Sequence, residues 1–158
     1  MQKITRILTV VVTCLCIGYF SRLIIGNSIE VWYPNLIKPG FTPPDWVFAP
    51  VWSMLFIMMG ISAGLVWDRM ELDRINVRKG LQFFAIQLGL NILWTYLFFG
   101  LHNPLLALVE IALLWLMIFE TYVVFKRVDK IAAILLLPYL AWVGFATILN
   151  AAVFWLNR

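Results

Sequence analysis

Five stretches of this chain are too long and too apolar to rest in water. Trp46–Trp67, Gly80–Leu101 and Ile131–Asn157 contain no charged residue. Pro104–Phe125 carries only Glu110 and Glu120, and Ile7–Ser21 is broken only by Arg22 before Leu23, Ile24 and Ile25 resume. A helix needs about 20 residues to cross roughly 30 Å of hydrocarbon. Backbone polar groups in lipid must be satisfied internally, which makes these spans helices. The ~10-residue polar/apolar alternation of outer-membrane strands is absent. The expected fold is an all-α integral membrane protein. It is a five-helix bundle in one domain over residues 1–158, with helices at about 6–26, 46–67, 80–101, 104–125 and 131–156. Composition agrees, with 63% hydrophobic and 13% charged residues, against roughly 45–50% and about 25% in soluble domains.

The first span begins like a signal peptide, with Lys3 and Arg6 ahead of an apolar run. No A-x-A-like site follows, and Arg22 is succeeded by more apolar residues, so the segment reads as a retained helix. Basic residues set the expected orientation. With five spans, one side holds Lys3, Arg6, Arg69, Arg74, Arg78, Lys79, Lys126, Arg127 and Lys130, and the other holds Arg22, Lys38 and Arg158. The positive-inside rule then puts the N-terminus in the cytoplasm, with the C-terminus and the first loop on the opposite side. The net charge of +4 is mostly this topological bias. No basic stripe suggests a nucleic-acid partner; the expected surroundings are a lipid bilayer.

Connections of a few residues join the third, fourth and fifth spans, which are therefore antiparallel neighbours. Only the loop at 27–45 is long, without an evident helical pattern. Loops of that length inside a compact domain are often functional. Pro39, Pro43, Pro44 and Pro50 stiffen it and its junction with the second span. Trp32, Tyr33, Phe41 and Trp46 give it apolar area to bury. A lid explains both features. An interfacial aromatic belt explains the rings but does not need the prolines.

Three spans carry aromatic and amide residues on one face. Gln87, Asn91, Trp94 and Phe98 follow at i, i+4, i+7 and i+11. Tyr139, Trp142, Ala146 and Asn150 do nearly the same on the fifth span, and Trp52, Phe56 and Met59 on the second. Wide apolar walls with a few amides describe a small-molecule pocket. The competing reading is amide hydrogen bonding between helices with no ligand. Glu110 is a functional candidate as an intramembrane carboxylate, or else a buried acid that is protonated or paired with Arg22. Glu120 is expected to snorkel toward Lys126 and Arg127. Gly60-x-x-x-Gly64 and Ala85-x-x-x-Gly89 mark close helix crossings, inside the protomer or between copies. Cys14 and Cys16 lie on nearly opposite sides of a helix and share no ligand, and no His or Cys cluster has metal-ligand spacing. His102 is a lone loop histidine, expected at the surface rather than as a haem ligand.

Taken together, several pieces resemble the TspO/MBR family of tryptophan-rich sensory proteins and translocator proteins. They are Trp32-Tyr33, Lys38-Pro39, Pro43-Pro44 with Trp46-Val47, and Pro50-Val51-Trp52. Further along come Asn91 with Trp94 and Phe98-Phe99-Gly100, then Pro138-Tyr139-Leu140-Ala141-Trp142 with Phe145-Ala146-Thr147 and Leu149-Asn150. The resemblance runs in order along essentially the whole chain. It implies a pocket closed by the long first loop, and binding of porphyrins such as protoporphyrin IX or haem, and of synthetic isoquinoline and benzodiazepine-type ligands. No cofactor is required. It also implies light-dependent porphyrin degradation in some bacterial members, for which Trp52 and Trp142 occupy the matching positions. Homodimers through the third span, at Ala85 and Gly89, are implied as well. The animal cholesterol motif has a Tyr after the Asn of the fifth span. Here Ala151 follows Asn150, so sterol recognition by that motif is not expected.

The residues expected to meet a ligand are Trp32, Tyr33, Pro43 and Trp46 from the loop, and Trp52, Phe56, Gln87, Asn91, Trp94, Tyr139, Trp142, Ala146 and Asn150 from the spans. The expected activity is a membrane tetrapyrrole-binding sensor. The alternative is a transporter of porphyrins or other amphiphiles, against which stand the lack of an internal repeat and of an obviously broken span.

Overall fold

The computed structural model describes all 158 residues and contains no strand. Five helices are long and apolar enough to cross a membrane, and the chain is a multi-pass membrane protein. They are α1 (Gln2–Ile25), α3 (Phe48–Asp68), α4 (Arg74–Thr95), α5 (Pro104–Val128) and α6 (Lys130–Leu156). A one-turn helix α2 (Ser28–Val31) and 3-10 turns at Tyr33–Asn35 and Asp45–Val47 stand in the long loop. That loop is therefore less irregular than its sequence suggests.

Local chemistry explains the helix ends. The third span starts at Arg74 rather than near residue 80, because the Asp73 side chain accepts from the Asn76 N–H and caps it (3.2 Å). Asn103 caps α5 in the same way, with Pro104 at the first helical position. Asp129 both ends the α5–α6 connection and caps α6, accepting from the N–H groups of Ile131 and Ala132. Burial raises the Asp129 carboxyl, but these backbone donors and the Arg69 guanidinium outweigh it, and its pKa lies below the ordinary carboxylate value.

Around the bundle α1 packs on α3, α3 on α6, α6 on α5 and α5 on α4. The tightest seam is α1–α3. A Cβ placed on Gly60 would lie 2.5 Å from the Val11 Cα, and one on Gly64 would lie 2.6 Å from the Ile7 Cα. The first small-residue pair is thus occupied inside the protomer. Ion pairs between Arg6 and Asp68 (3.3 Å) and between Arg69 and Asp129 (3.2 Å) tie helix ends together at this basic end. In contrast, Ala85 is exposed and no neighbour approaches the site of a Cβ on Gly89. Cys14 is buried and Cys16 exposed, on different sides of α1 as expected.

The suggested pairing of Glu110 with Arg22 does not form. Glu110 is buried on α5 with neither carboxyl oxygen hydrogen-bonded, whereas Arg22 donates to the Gly26 carbonyl (3.0 Å) at the exposed end of α1. Glu120 is exposed on the bundle's outer face.

Candidate ligand-binding site

At the end opposite the ion pairs, the helices enclose a cavity of about 510 Å³. Ligand sites typically span about 300–1,000 Å³. Its walls come from α1, α3, α4 and α6, and its roof from the long loop. The loop is tied down at its middle and near its start. Asn157 accepts from the Ile37 N–H (3.0 Å) and donates to the Ile37 carbonyl (2.9 Å), pairing both backbone groups of that residue. Near its start the Trp32 ring stacks on His102 at 4.3 Å, and the Ser28 hydroxyl donates to the Phe99 carbonyl (2.8 Å). Lys38 folds back over the Tyr33 ring at 4.4 Å.

Of the residues expected to meet a ligand, Tyr33, Trp52, Phe56, Asn91, Trp94, Trp142, Ala146 and Asn150 line this cavity. The other five do not. Trp32 lies behind the wall, edge-on to Phe98 at 5.5 Å and stacked on His102. Tyr139 is fully buried in the bundle and touches the wall indirectly, because the Asn91 Nδ2 donates to its hydroxyl (3.3 Å). Gln87 is fully buried outside the cavity lining, and neither amide atom has a protein partner. Pro43 sits half-buried in the lid. Trp46 is 75% exposed: the 3-10 turn at Asp45–Val47 directs it away from the cavity, as an interfacial belt residue would be. His102 is at the surface, stacked on Trp32.

The amides act as both wall and glue. The Trp94 indole N–H donates to the Asn150 Oδ1 (3.1 Å), and the Asn150 Nδ2 donates to the Pro104 carbonyl (2.8 Å). This one side chain joins α4, α5 and α6 and presents a fixed edge to the cavity. The indole N–H of Trp142 is buried with no acceptor, an uncommon state for a buried donor. The aromatic rings hold one another. Trp52 packs on Phe56 at 5.8 Å and on Tyr139 at 6.3 Å, and Trp142 on Phe48 and Phe145 at 5.9 and 5.6 Å. Burial, with the nearby Asp45 charge, pushes the Tyr33 phenol up to about 12.

Two parts of the wall carry little signal in the sequence. Beyond Thr95, α4 widens into a π-helical turn, Tyr96–Gly100. With more residues per turn, Trp94, Thr95, Phe98 and Phe99 all reach the cavity. The i, i+4, i+7 pattern shows Phe98 and gives no sign of Phe99. The second is α1, which contributes Leu15, Gly18, Tyr19, Ser21 and Arg22. The polar pair Ser21-Arg22 is its only signal, visible as an interruption of an apolar span.

Chemically, this is an apolar, aromatic-walled cavity, with amide edges in the wall and one cation and one carboxylate (Arg22 and Asp45) near the roof. The TspO/MBR family profile matches residues 9–156. The chain is 45% identical to the tryptophan-rich protein TspO of Chlorobaculum tepidum, covering 91% of this chain and 90% of that one. It is 39% identical to the tryptophan-rich protein TspO of Archaeoglobus fulgidus over 99% of both. Identity to the translocator protein of Homo sapiens is 39%, over 84% of this chain and 78% of the human one.

Proposed function

We propose, from the premise that the chain belongs to the TspO/MBR family, that it is a membrane sensor binding porphyrins such as protoporphyrin IX. The observation that carries this reading is the lidded cavity of about 510 Å³ walled by Trp52, Trp94 and Trp142. Indole faces stack on a flat macrocycle, and offset aromatic pairs of this kind are worth about 0.5–1.5 kcal/mol each beyond area burial. Asn91 and Asn150 orient its polar edge, and the lid excludes water. Haem, and synthetic isoquinoline or benzodiazepine-type ligands, suit the same walls.

In light, the excited macrocycle takes one electron from the indole of Trp52 or Trp142, leaving a tryptophan radical cation and a porphyrin radical anion. Dioxygen then accepts that electron as superoxide, and the tryptophan radical cation takes one electron from the now neutral ring. The resulting porphyrin radical cation couples with superoxide, so that the ring gains both oxygen atoms and the indole is restored. The N-terminus and basic helix ends face the cytoplasm, and the lid and C-terminus face the other side, in line with the basic-residue bias. Two copies pair through α4, a reading supported by the exposed Ala85 and the open space over Gly89.

The test is a titration with protoporphyrin IX in light and in darkness, followed by product analysis. Binding is expected to quench tryptophan fluorescence in both conditions, with new pigment products only in light. Trp52→Phe combined with Trp142→Phe is expected to abolish the products and weaken binding. Unchanged affinity and products would remove both residues from the mechanism. Flux of porphyrin into sealed proteoliposomes, beyond stoichiometric binding, would favour a transporter instead.

A further inference from the structure

We propose that the cavity is loaded sideways from the bilayer through the seam between α1 and α3, and that Arg22 at the head of this seam selects amphiphiles carrying an anionic carboxylate. The inference deepens the reading of the cavity as a ligand site and rests on it.

The seam is shut at one end and open at the other. At the basic end Gly60 and Gly64 bring α3 against the backbone of α1, and the Arg6–Asp68 pair closes the margin. Toward the lid the contact changes character. At Gly18 the neighbour is the Phe56 ring, a side chain, with a hypothetical Cβ 2.7 Å from it. From there on, both helices carry residues that line the cavity and are exposed, and two of them, Leu15 and Tyr19, also border a second, open hollow with Val12, Cys16 and Phe20. Leu15 (38% exposed), Tyr19 (64%) and Arg22 do so on α1, and Ala49 and Ser53 on α3. A residue with one surface on a cavity and another on the exterior stands at its mouth. This mouth lies on the flank of two membrane-spanning helices, facing the bilayer. Above it the lid is fastened by Asn157 and by the Trp32–His102 stack.

Depth fits an amphiphile. At 1.5 Å per residue, Leu15 lies about 15 Å from the end of α1, near mid-bilayer, and Arg22 about 5 Å from it, at headgroup level. An apolar body therefore meets apolar wall along the mouth, and its charged tail stays where water reaches. Arg22 is the only cation lining the cavity. It makes no ion pair; its hydrogen bond goes to the Gly26 carbonyl of its own helix end. Asp45 also lines the cavity but is not paired with it. A guanidinium has five donors in a planar fork that matches a carboxylate or phosphate, and here most of them lack a protein acceptor. The same fork would take a phospholipid phosphate, so the experiment separates the two sources.

The experiment uses the full chain in nanodiscs of zwitterionic phosphatidylcholine. One probe pair is protoporphyrin IX and its dimethyl ester; the other is nitroxide-labelled stearic acid and its methyl ester. All are read by quenching of tryptophan. Arg22→Gln is expected to weaken both acids about tenfold and to leave both esters within about twofold, while Arg22→Lys retains most of the acid binding. Nitroxide-labelled phosphatidylglycerol forms the headgroup arm. If it competes with the acids through Arg22, the anion site stands and its resting occupant is lipid. Ser53→Trp, which narrows the mouth, is expected to slow association and dissociation of either acid about tenfold, with a smaller change in affinity. Equal losses for acids and esters on Arg22→Gln, or unchanged rates on Ser53→Trp, would overturn the proposal. If labelled stearate shows both the Arg22 and the Ser53 dependence and porphyrin does not bind, the tetrapyrrole reading falls and the lateral mouth stands. Porphyrin that binds tightly, with neither Arg22 nor Ser53 effects, keeps the tetrapyrrole reading and removes the lateral mouth. Failure of every probe to reach the cavity would sink both.

Discussion

The residue that does most to fix the site's shape is Asn150. Its amide accepts from Trp94 and donates to Pro104, so one side chain orients an indole wall and holds three helices in register. An amide facing lipid would be costly, which is why the sequence pattern points it inward. The pattern could not tell glue from pocket wall, because the same inward face serves both. Here the two roles coincide in Asn150 and Asn91, whereas Gln87 lies on the same helix face yet outside the cavity lining. A double-mutant cycle separates the roles. Trp94→Phe and Asn150→Leu should each lower thermal stability in detergent, with a coupling energy of about 0.6 kcal/mol, the average for interhelical side-chain hydrogen bonds in membranes, and at most about 1.7. Trp94→Phe alone should also weaken porphyrin binding, since it removes the fixed indole. Additive losses in the cycle would mean that the bond at 3.1 Å contributes nothing.

Among the elements, α1 with α3 and the loop at 27–45 bound the cavity on its flank and roof. The seam depends on backbone contact, so Gly60→Ala has no room to adapt: its new methyl would meet the Val11 Cα rather than a movable side chain. Overpacking of this kind costs about 1–3 kcal/mol, and the expected readout is a lowered melting temperature of the purified protein. The lid responds to alkaline pH. The Tyr33 phenol is raised from about 10 in the unfolded chain to about 12 in the docked lid, so the docked form favours the neutral phenol. Its contribution is complete below pH 10 and is lost as pH rises from 10 toward 12. Acrylamide quenching of tryptophan should therefore increase across that window, and Tyr33→Phe should remove that part of the increase. The lid was legible in the sequence as prolines and rings, but not the direction of each ring. Tyr33 turns inward and Trp46 outward, because short helical turns, invisible to a search for long periodicity, set their orientation. The π-helical turn at Tyr96–Gly100 escaped for the same reason, since a one-turn change of pitch alters no composition.

At the scale of the whole molecule, five long apolar stretches and two short connections were enough to specify the bundle, because lipid leaves the backbone no other way to satisfy its polar groups. What they could not specify was the use of each small-residue pair, since Gly60-x-x-x-Gly64 and Ala85-x-x-x-Gly89 look equivalent in sequence. Packing separates them. The first pair is filled by the backbone of α1, and the second faces outward from α4 with nothing against Gly89. Without a hydrophobic force between helices in lipid, close van der Waals approach drives association. If two copies pair through α4 as proposed, the open small-residue face is the contact and the filled one is not. The same substitution should therefore act differently at the two sites. Gly89→Leu should raise the monomer fraction in detergent, measured by light scattering on a sizing column, with a dimer dissociation constant at least about tenfold higher. It should leave the melting temperature of the monomer nearly unchanged. Gly60→Leu should instead lower the melting temperature sharply, because it must push α1 off α3. A dimer that survives Gly89→Leu intact would place the contact on another face and leave the small residues of α4 to lipid.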